Sequence, residues 1–175
     1  MSSGVGPREH DVRLLLTSLA RRFPADAHAD VLAEVDRTAF YVWLVTSRKG
    51  TDGDVCDVGG GIGLFALGCA ALGMRSTLVD VDPRRPEDLI AEHSVHLVLA
   101  DVVEDTVEFE PDSFDAVTCF HTIEHLHHSP KPAFHRFAAA LRPGGIFVLG
   151  GPNCVNLRKR PTVPLGRGKW SSMES

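Results

Sequence analysis

The stretch Asp57–Gly63, DVGGGIG, packs four glycines into five positions directly after the short apolar-rich run Asp54–Val58, DVCDV. Glycine adopts backbone angles closed to other residues and lets a ligand touch the main chain. A tight turn needs one or two glycines, so this stretch reads as a strand-to-helix turn shaped around a ligand. The small-residue segment LFALGCAAL (64–72) supplies the helix that follows.

Working outward, Val12, Leu15, Leu16 and Leu19 recur at helical spacing between Asp11 and Phe23, and Val31, Leu32, Val35, Ala39 and Val42 mark a second helix over 29–47. Downstream, strands are expected over 76–81 (STLVDV), 96–101 (HLVLAD), 113–120 (SFDAVTCF) and 145–150 (GIFVLG). Helices are expected over 86–93 and 131–141, the latter stopped by Arg142-Pro143-Gly144-Gly145. Strands alternating with helices imply right-handed crossovers and a parallel sheet, and near-continuous apolar strands imply that both faces are covered. The fold class is therefore α/β, a doubly wound Rossmann-like parallel sheet with helices on both faces. Such sheets bind ligands at the carboxyl ends of their strands. Gly59 to Gly63, Asp80, Asp101 and His121 all fall just past expected strand ends. Three regions follow: an N-terminal helical segment (1–47), a core (48–151) and a basic tail (152–175).

A chain of 175 residues suits one domain. A net charge of -5 argues against nucleic acid or an anionic membrane as partner. No apolar run is long enough to span a bilayer, and the first residues lack the apolar centre of a signal peptide, so the expected location is cytoplasmic. Cys56, Cys69, Cys119 and Cys154 form no C-x-x-C pair and read as small buried hydrophobes.

Two ligand patterns overlap in the glycine loop. Gly61-x-Gly63-x-x-Ala66, with Asp80 nineteen positions after Gly61, fits a dinucleotide fingerprint. Asp57-x-Gly59-x-Gly61-x-Gly63 fits a second pattern in which an acid precedes the glycines. No Lys or Arg lies between Gly50 and Met74 and no Gly-Lys-Ser/Thr occurs, which excludes a P-loop. An NAD(P)-binding oxidoreductase stays open, because helix N-terminal amides alone can carry a pyrophosphate.

Five ordered motifs, VCDVGGGIG, LVDVDP, LADV, SFDAVTCFHTIEHL and LRPGGIFVLGGPN, span roughly residues 50–157. With them the chain resembles the class I S-adenosylmethionine-dependent methyltransferases. The resemblance implies S-adenosylmethionine as cofactor and a small-molecule methyl acceptor, with oxygen the acceptor atom on family frequency. It implies that Asp57 lies near the methionine ammonium and that Gly59, Gly60, Gly61 and Gly63 let the backbone approach the cofactor. Asp80, with Val81 beside it, would accept the ribose hydroxyls. Asp101 would accept from the adenine amine, with Val102 offering a backbone contact. Asn153, after strand five, would touch the acceptor. The chemistry agrees: the ammonium, the diol and the amine are all donors, and an ionised carboxylate is an acceptor-only group.

The stretch His121–His128, HTIEHLHH, contains H-x-x-E-H, one signature of zinc peptidases. That site needs both histidines within one helix, whereas His121 follows the apolar strand run directly, so no metal site is expected. At a strand tip, His121 is the candidate catalytic residue, because an imidazole can serve as a general base near neutral pH. The alternative is a histidine that only lines the pocket.

The family's sheet ends with a sixth and a seventh strand, and after Gly150 no credible strand pair is found. Three explanations are open: a C-terminally truncated domain, a partner that supplies the missing strands, or a tail that covers the edge. Truncation is the favoured expectation, with strand five left as an edge through which the chain self-associates. A catalytically inactive, methyltransferase-like binding chain is the remaining alternative.

Overall fold

The computed structural model describes residues 6–82, 86–102, 107–125 and 129–151. The run after the first glycine-rich turn forms β1 (Asp54–Val58), and it is joined by β2 (Arg75–Asp80), β3 (His96–Leu99), β4 (Phe114–Phe120) and β5 (Leu141–Gly150). Among the described residues these make one sheet of order β3-β2-β1-β4-β5, parallel throughout. The helices are α1 (Glu9–Ala20), α2 (His28–Lys49), α3 (Leu64–Ala71), α4 (Glu87–Glu92) and α5 (Lys131–Ala140), with a 3-10 turn over Ile123–His125.

Successive strand residues point to opposite faces, and the core divides accordingly. Val55, Leu78 and Ala116 pack with α1, α2, α3 and Leu89 of α4. Cys56, Val58, Val79, Val117 and Cys119 pack with Ala133 and Phe137 of α5. The chain winds from β1 through β2 to β3, then crosses back to lay β4 on the other side of β1. Right-handed crossovers running in the opposite direction must put their helix on the opposite face, which is where α5 lies. The reversal leaves a crevice above the tips of β1 and β4.

The N-terminal helices share a core with the sheet: Val12, Leu16, Val31, Val35 and Val42 are buried beside Val55 and Phe65. Helix α2 runs on to Lys49, across the 47/48 boundary, and stops at Gly50, whose φ of 79° suits glycine. β3 ends two residues short of its expected limit, which leaves Asp101 just beyond the strand. β5 begins at Leu141 rather than 145, because Leu141 pairs with Phe114 and the register then slips before Ala116 meets Ile146. Pro143 and Gly144 sit in that slip, so the segment read as a helix stop is also the bulged start of a strand. β5 is an edge of the sheet among the described residues, with Phe147 and Leu149 exposed.

Beneath the sheet, at the amino ends of the strands, an ion-pair network explains Arg142. Its guanidinium reaches Asp54 at 2.7 Å and Asp115 at 2.6 Å, while Arg75 binds Asp54 in a fork at 2.6 and 2.7 Å. Asp115 also accepts from the Asp54 N–H at 2.9 Å. These contacts lock β1, β2, β4 and β5 in register. The Arg75 hydrogen bond holds the Asp54 carboxyl below its ordinary 3.8, against the cost of desolvation and with help from Arg142. A lowered folded-state value gives stability that is present above 3.8 and is lost as pH falls through the lowered value. Asp54→Asn is therefore expected to lower the melting temperature at neutral pH and to flatten its decline below about pH 4. Unchanged acid limbs in thermal melts from pH 2 to 7 would remove Asp54 from this role.

Candidate active site

Two clefts open at the carboxyl ends of the strands and meet at Gly59. The first, about 270 Å3, lies between the glycine loop, the end of β4 and helix α2. The second, about 170 Å3, lies over the tips of β2 and β3 and is lined by Asp80, Val81, Asp101 and Val102, with Thr122 and His125 closing it.

Asp57, the penultimate residue of β1, is 1% exposed. One carboxylate oxygen accepts from the Thr118 hydroxyl of β4 at 3.0 Å, and the other, Oδ2, has no partner. That second oxygen lies under the glycine loop: a Cβ built on Gly60 would stand 2.2 Å from it, so no larger residue fits there. Burial pushes the Asp57 carboxyl up to about 7, with the Thr118 bond pulling the other way and the negative charge of Asp80 adding a smaller rise. Gly59 turns with φ 68°, and a Cβ on it would meet the Thr122 hydroxyl at 2.1 Å. Thr122 thus seats the β4 loop directly on the β1 loop.

Asp80 closes β2 with its oxygens accepting from the N–H groups of Gly61 and Asp82, both at 2.8 Å. It holds the glycine loop in shape while facing the second cleft. Asp101 and Val102 line the same cleft; Val102 is buried and Val81 is exposed at its rim. Gly63 lines neither cleft. It caps the start of α3 with φ 92°, where a Cβ would meet Leu78 at 2.8 Å. Asn153 lies outside the described residues.

His121 lines the first cleft. It does not lie in a helix: it follows β4 in a left-handed conformation, φ 54°, and its N–H donates to the Gly150 carbonyl at 2.9 Å. Its Nδ1 approaches Glu124 at 3.4 Å, while His125 sits in the 3-10 turn and lines the second cleft. The two histidines of H-x-x-E-H therefore serve different clefts, which is not the arrangement of a zinc peptidase. Among the described residues no group of three or more His, Cys, Asp and Glu side chains could hold a metal ion.

Several residues here escaped the sequence reading. Helix α2 presents Asp30, Glu34, Arg37, Thr38 and Tyr41 to the first cleft, and Arg37 pairs with Glu34. The Tyr41 ring stacks on Phe120 with centroids 4.0 Å apart. Thr118 and Thr122 carry the contacts that fix Asp57 and Gly59. The one available signal was polar residues recurring on the apolar-striped helix, and nothing in it indicated which cleft they face.

The family model described as a methyltransferase domain matches residues 15–165. A ubiquinone biosynthesis O-methyltransferase of Xanthomonas campestris pv. campestris is 35% identical over 107 residues, covering 57% of this chain and 43% of that protein. The chain thus spans less than half the length of the curated relative it matches. Among solved structures, the PH0226 protein from Pyrococcus horikoshii OT3 aligns with a TM-score of 0.60 at 22% identity, covering 89% of this chain and 71% of that one. A Burkholderia thailandensis 1,6-didemethyltoxoflavin-N1-methyltransferase, with S-adenosylhomocysteine bound, aligns with a TM-score of 0.58 at 21% identity, covering 85% and 66%. These two likenesses establish the fold.

Asp57 makes a pH prediction for the ligand-free protein. A carboxyl raised in the fold favours the protonated state, so its contribution is intact below 3.8 and is lost as pH rises through about 7. Asp57→Asn keeps the shape and removes the titration. Its stability relative to the parent is expected to improve by roughly 2–4 kcal/mol between pH 4 and pH 8. Denaturant melts at the two pH values check this, and parallel profiles would contradict it.

Proposed function

Because the chain belongs to the methyltransferase-domain family, we propose that it transfers a methyl group from S-adenosylmethionine to a small-molecule acceptor in the cytoplasm. The observation that carries this reading is Asp57 Oδ2, a buried carboxylate oxygen with no partner, lying beneath a glycine loop that only glycine permits. Burying an unpaired charge is costly, so the site favours a cation that can meet it.

The residues present fit the cofactor. S-adenosylmethionine, when bound, supplies a methyl group on a cationic sulfur that is already a good leaving group. Asp57 would take the ammonium at its free oxygen. Asp80 and Asp101, facing the second cleft, would take the ribose diol and the adenine amine, and Val81 and Val102 would flank the base. The methionine carboxylate needs a cation, and the glycine loop has none. Arg37 of α2, lining the same cleft as Asp57, would provide it by exchanging its contact with Glu34. With the cofactor held at both ends, alignment of the acceptor supplies most of the rate.

Oxygen as acceptor atom is supported by the 35% identity to an O-methyltransferase. His121 is our candidate general base, taking the acceptor's proton, with Glu124 beside its Nδ1 to bear the resulting charge. A nicotinamide dinucleotide fits less well. Its pyrophosphate would sit on the loop whose Gly61 N–H already donates to Asp80 and which is underlain by Asp57, so two carboxylates would oppose it. Among the described residues β5 has no neighbour on its outer side and exposes Phe147 and Leu149, which supports self-association; light scattering tests it.

Isothermal calorimetry is expected to show S-adenosylhomocysteine binding and no NAD binding. Asp80→Asn and Asp101→Asn should each weaken S-adenosylhomocysteine by about 10–100-fold, the worth of a charge-assisted hydrogen bond. Arg37→Ala should weaken S-adenosylhomocysteine but leave methylthioadenosine, which lacks the amino-acid end, unchanged. NAD binding in place of S-adenosylhomocysteine would replace this reading with the oxidoreductase. Tight S-adenosylhomocysteine binding without turnover on any acceptor would leave a binding chain. Once an acceptor is found, His121→Ala should cut turnover by about 10²–10⁴-fold if proton removal is needed. Unchanged turnover would reduce His121 to a pocket wall.

A further inference from the structure

The second cleft has a support that neither the sequence motifs nor the loop residues account for. Arg136 projects from α5, on the far face of the sheet, and its guanidinium donates to the Val102 main-chain carbonyl. The approach is fixed by packing: Val102, Ala133 and Phe137 belong to one buried cluster, and Ala133 and Phe137 bracket Arg136 on the helix. Val102 is 7% exposed and lines the second cleft beside Asp101. It lies past the end of β3, where no ladder partner orients its peptide groups, and among the described residues its own N–H donates to no backbone carbonyl. The residue is therefore held at its carbonyl by α5 while it lines the cleft.

We propose that Arg136 is a positioning residue for the nucleobase. By holding the Val102 carbonyl it sets the orientation of that residue, so that the Val102 N–H is presented to the ring nitrogen next to the exocyclic amine that Asp101 accepts. A neutral N–H and a carboxylate, adjacent on one edge, form a donor-acceptor pair that matches adenine and mismatches a base with a carbonyl and a ring N–H at those positions. Arg136 thus tunes which base is accepted without touching it. This inference rests on the cofactor reading above.

The test uses calorimetry with two ligands, S-adenosylhomocysteine and its 1-deaza analogue, which lacks the ring acceptor. The unmutated protein should bind the analogue about tenfold more weakly, the worth of one hydrogen bond. Arg136→Met should weaken S-adenosylhomocysteine by a similar factor while changing the analogue by less than about twofold, so that the preference between the two ligands disappears. Arg136→Lys, which keeps one donor, should retain part of the preference, and it serves also if the methionine variant fails to fold. Melting temperatures establish that each variant is folded. Equal losses for both ligands, or no loss for either, in a folded variant overturn the inference and leave the cofactor reading standing. Failure of the unmutated protein to bind either ligand overturns both.

Discussion

The site depends on one carboxylate that is buried and only half satisfied. Asp57 sits within a β-strand where side chains on both faces are apolar, and Thr118 answers just one of its oxygens. In the ligand-free protein the unmet oxygen is a standing cost, reflected in a proton affinity raised toward neutrality. Other features of the crevice follow from accommodating it. Gly60 must lack a side chain for the loop to close over it, and Thr118 must come from β4, so the neighbour of β1 on that side is part of the site. A cation arriving there gains more than it would at a solvated carboxylate, because the oxygen it meets was already stripped of water.

The rest of the fold brings partners to that point. Winding reverses between β1 and β4, so the two strand tips carry their loops upward side by side, and Thr122 locks one onto the other. Below, the Asp54, Arg75, Asp115 and Arg142 network fixes the same strands at their opposite ends. The glycine-loop geometry is thereby held from both ends of the sheet. Asp80 closes the arrangement by accepting the Gly61 N–H, which places a second negative charge next to the first and biases the crevice around the glycine loop against anionic groups.

Much of this could be read from the chain. β1 fell where its apolar run put it, and β2 and β4 within a residue, because a buried parallel strand leaves a short, nearly continuous apolar signature. The acids at the strand tips were legible because the sheet topology gives the residues after strands a common location. Partners from distant segments were not. Thr118 looks like any strand residue, and its bond to Asp57 depends on β4 lying next to β1, which alternation of elements does not dictate. Arg37 and Tyr41 lie far along the chain from His121, and only the packing of α2 over the crevice unites them. Gly63 shows the converse: its motif position suits ligand-binding and helix-starting glycines alike, and its packing against Leu78 was not legible in the motif. The bulged start of β5 was hidden because Arg-Pro-Gly-Gly is also what ends a helix.

Helix α2 carries two inscriptions on one cylinder. Val35, Val42 and Val45 are turned inward to the core, whereas Glu34, Arg37 and Tyr41, interleaved with them, address the crevice. A helix advances about 100° per residue. One inserted or deleted residue within its span would rotate everything beyond it by that angle, exchanging hydrophobic anchors for crevice-facing charges. Substitutions along this helix can thus retune the crevice without disturbing the core, whereas a change of length is accommodated only in the turns at its two ends.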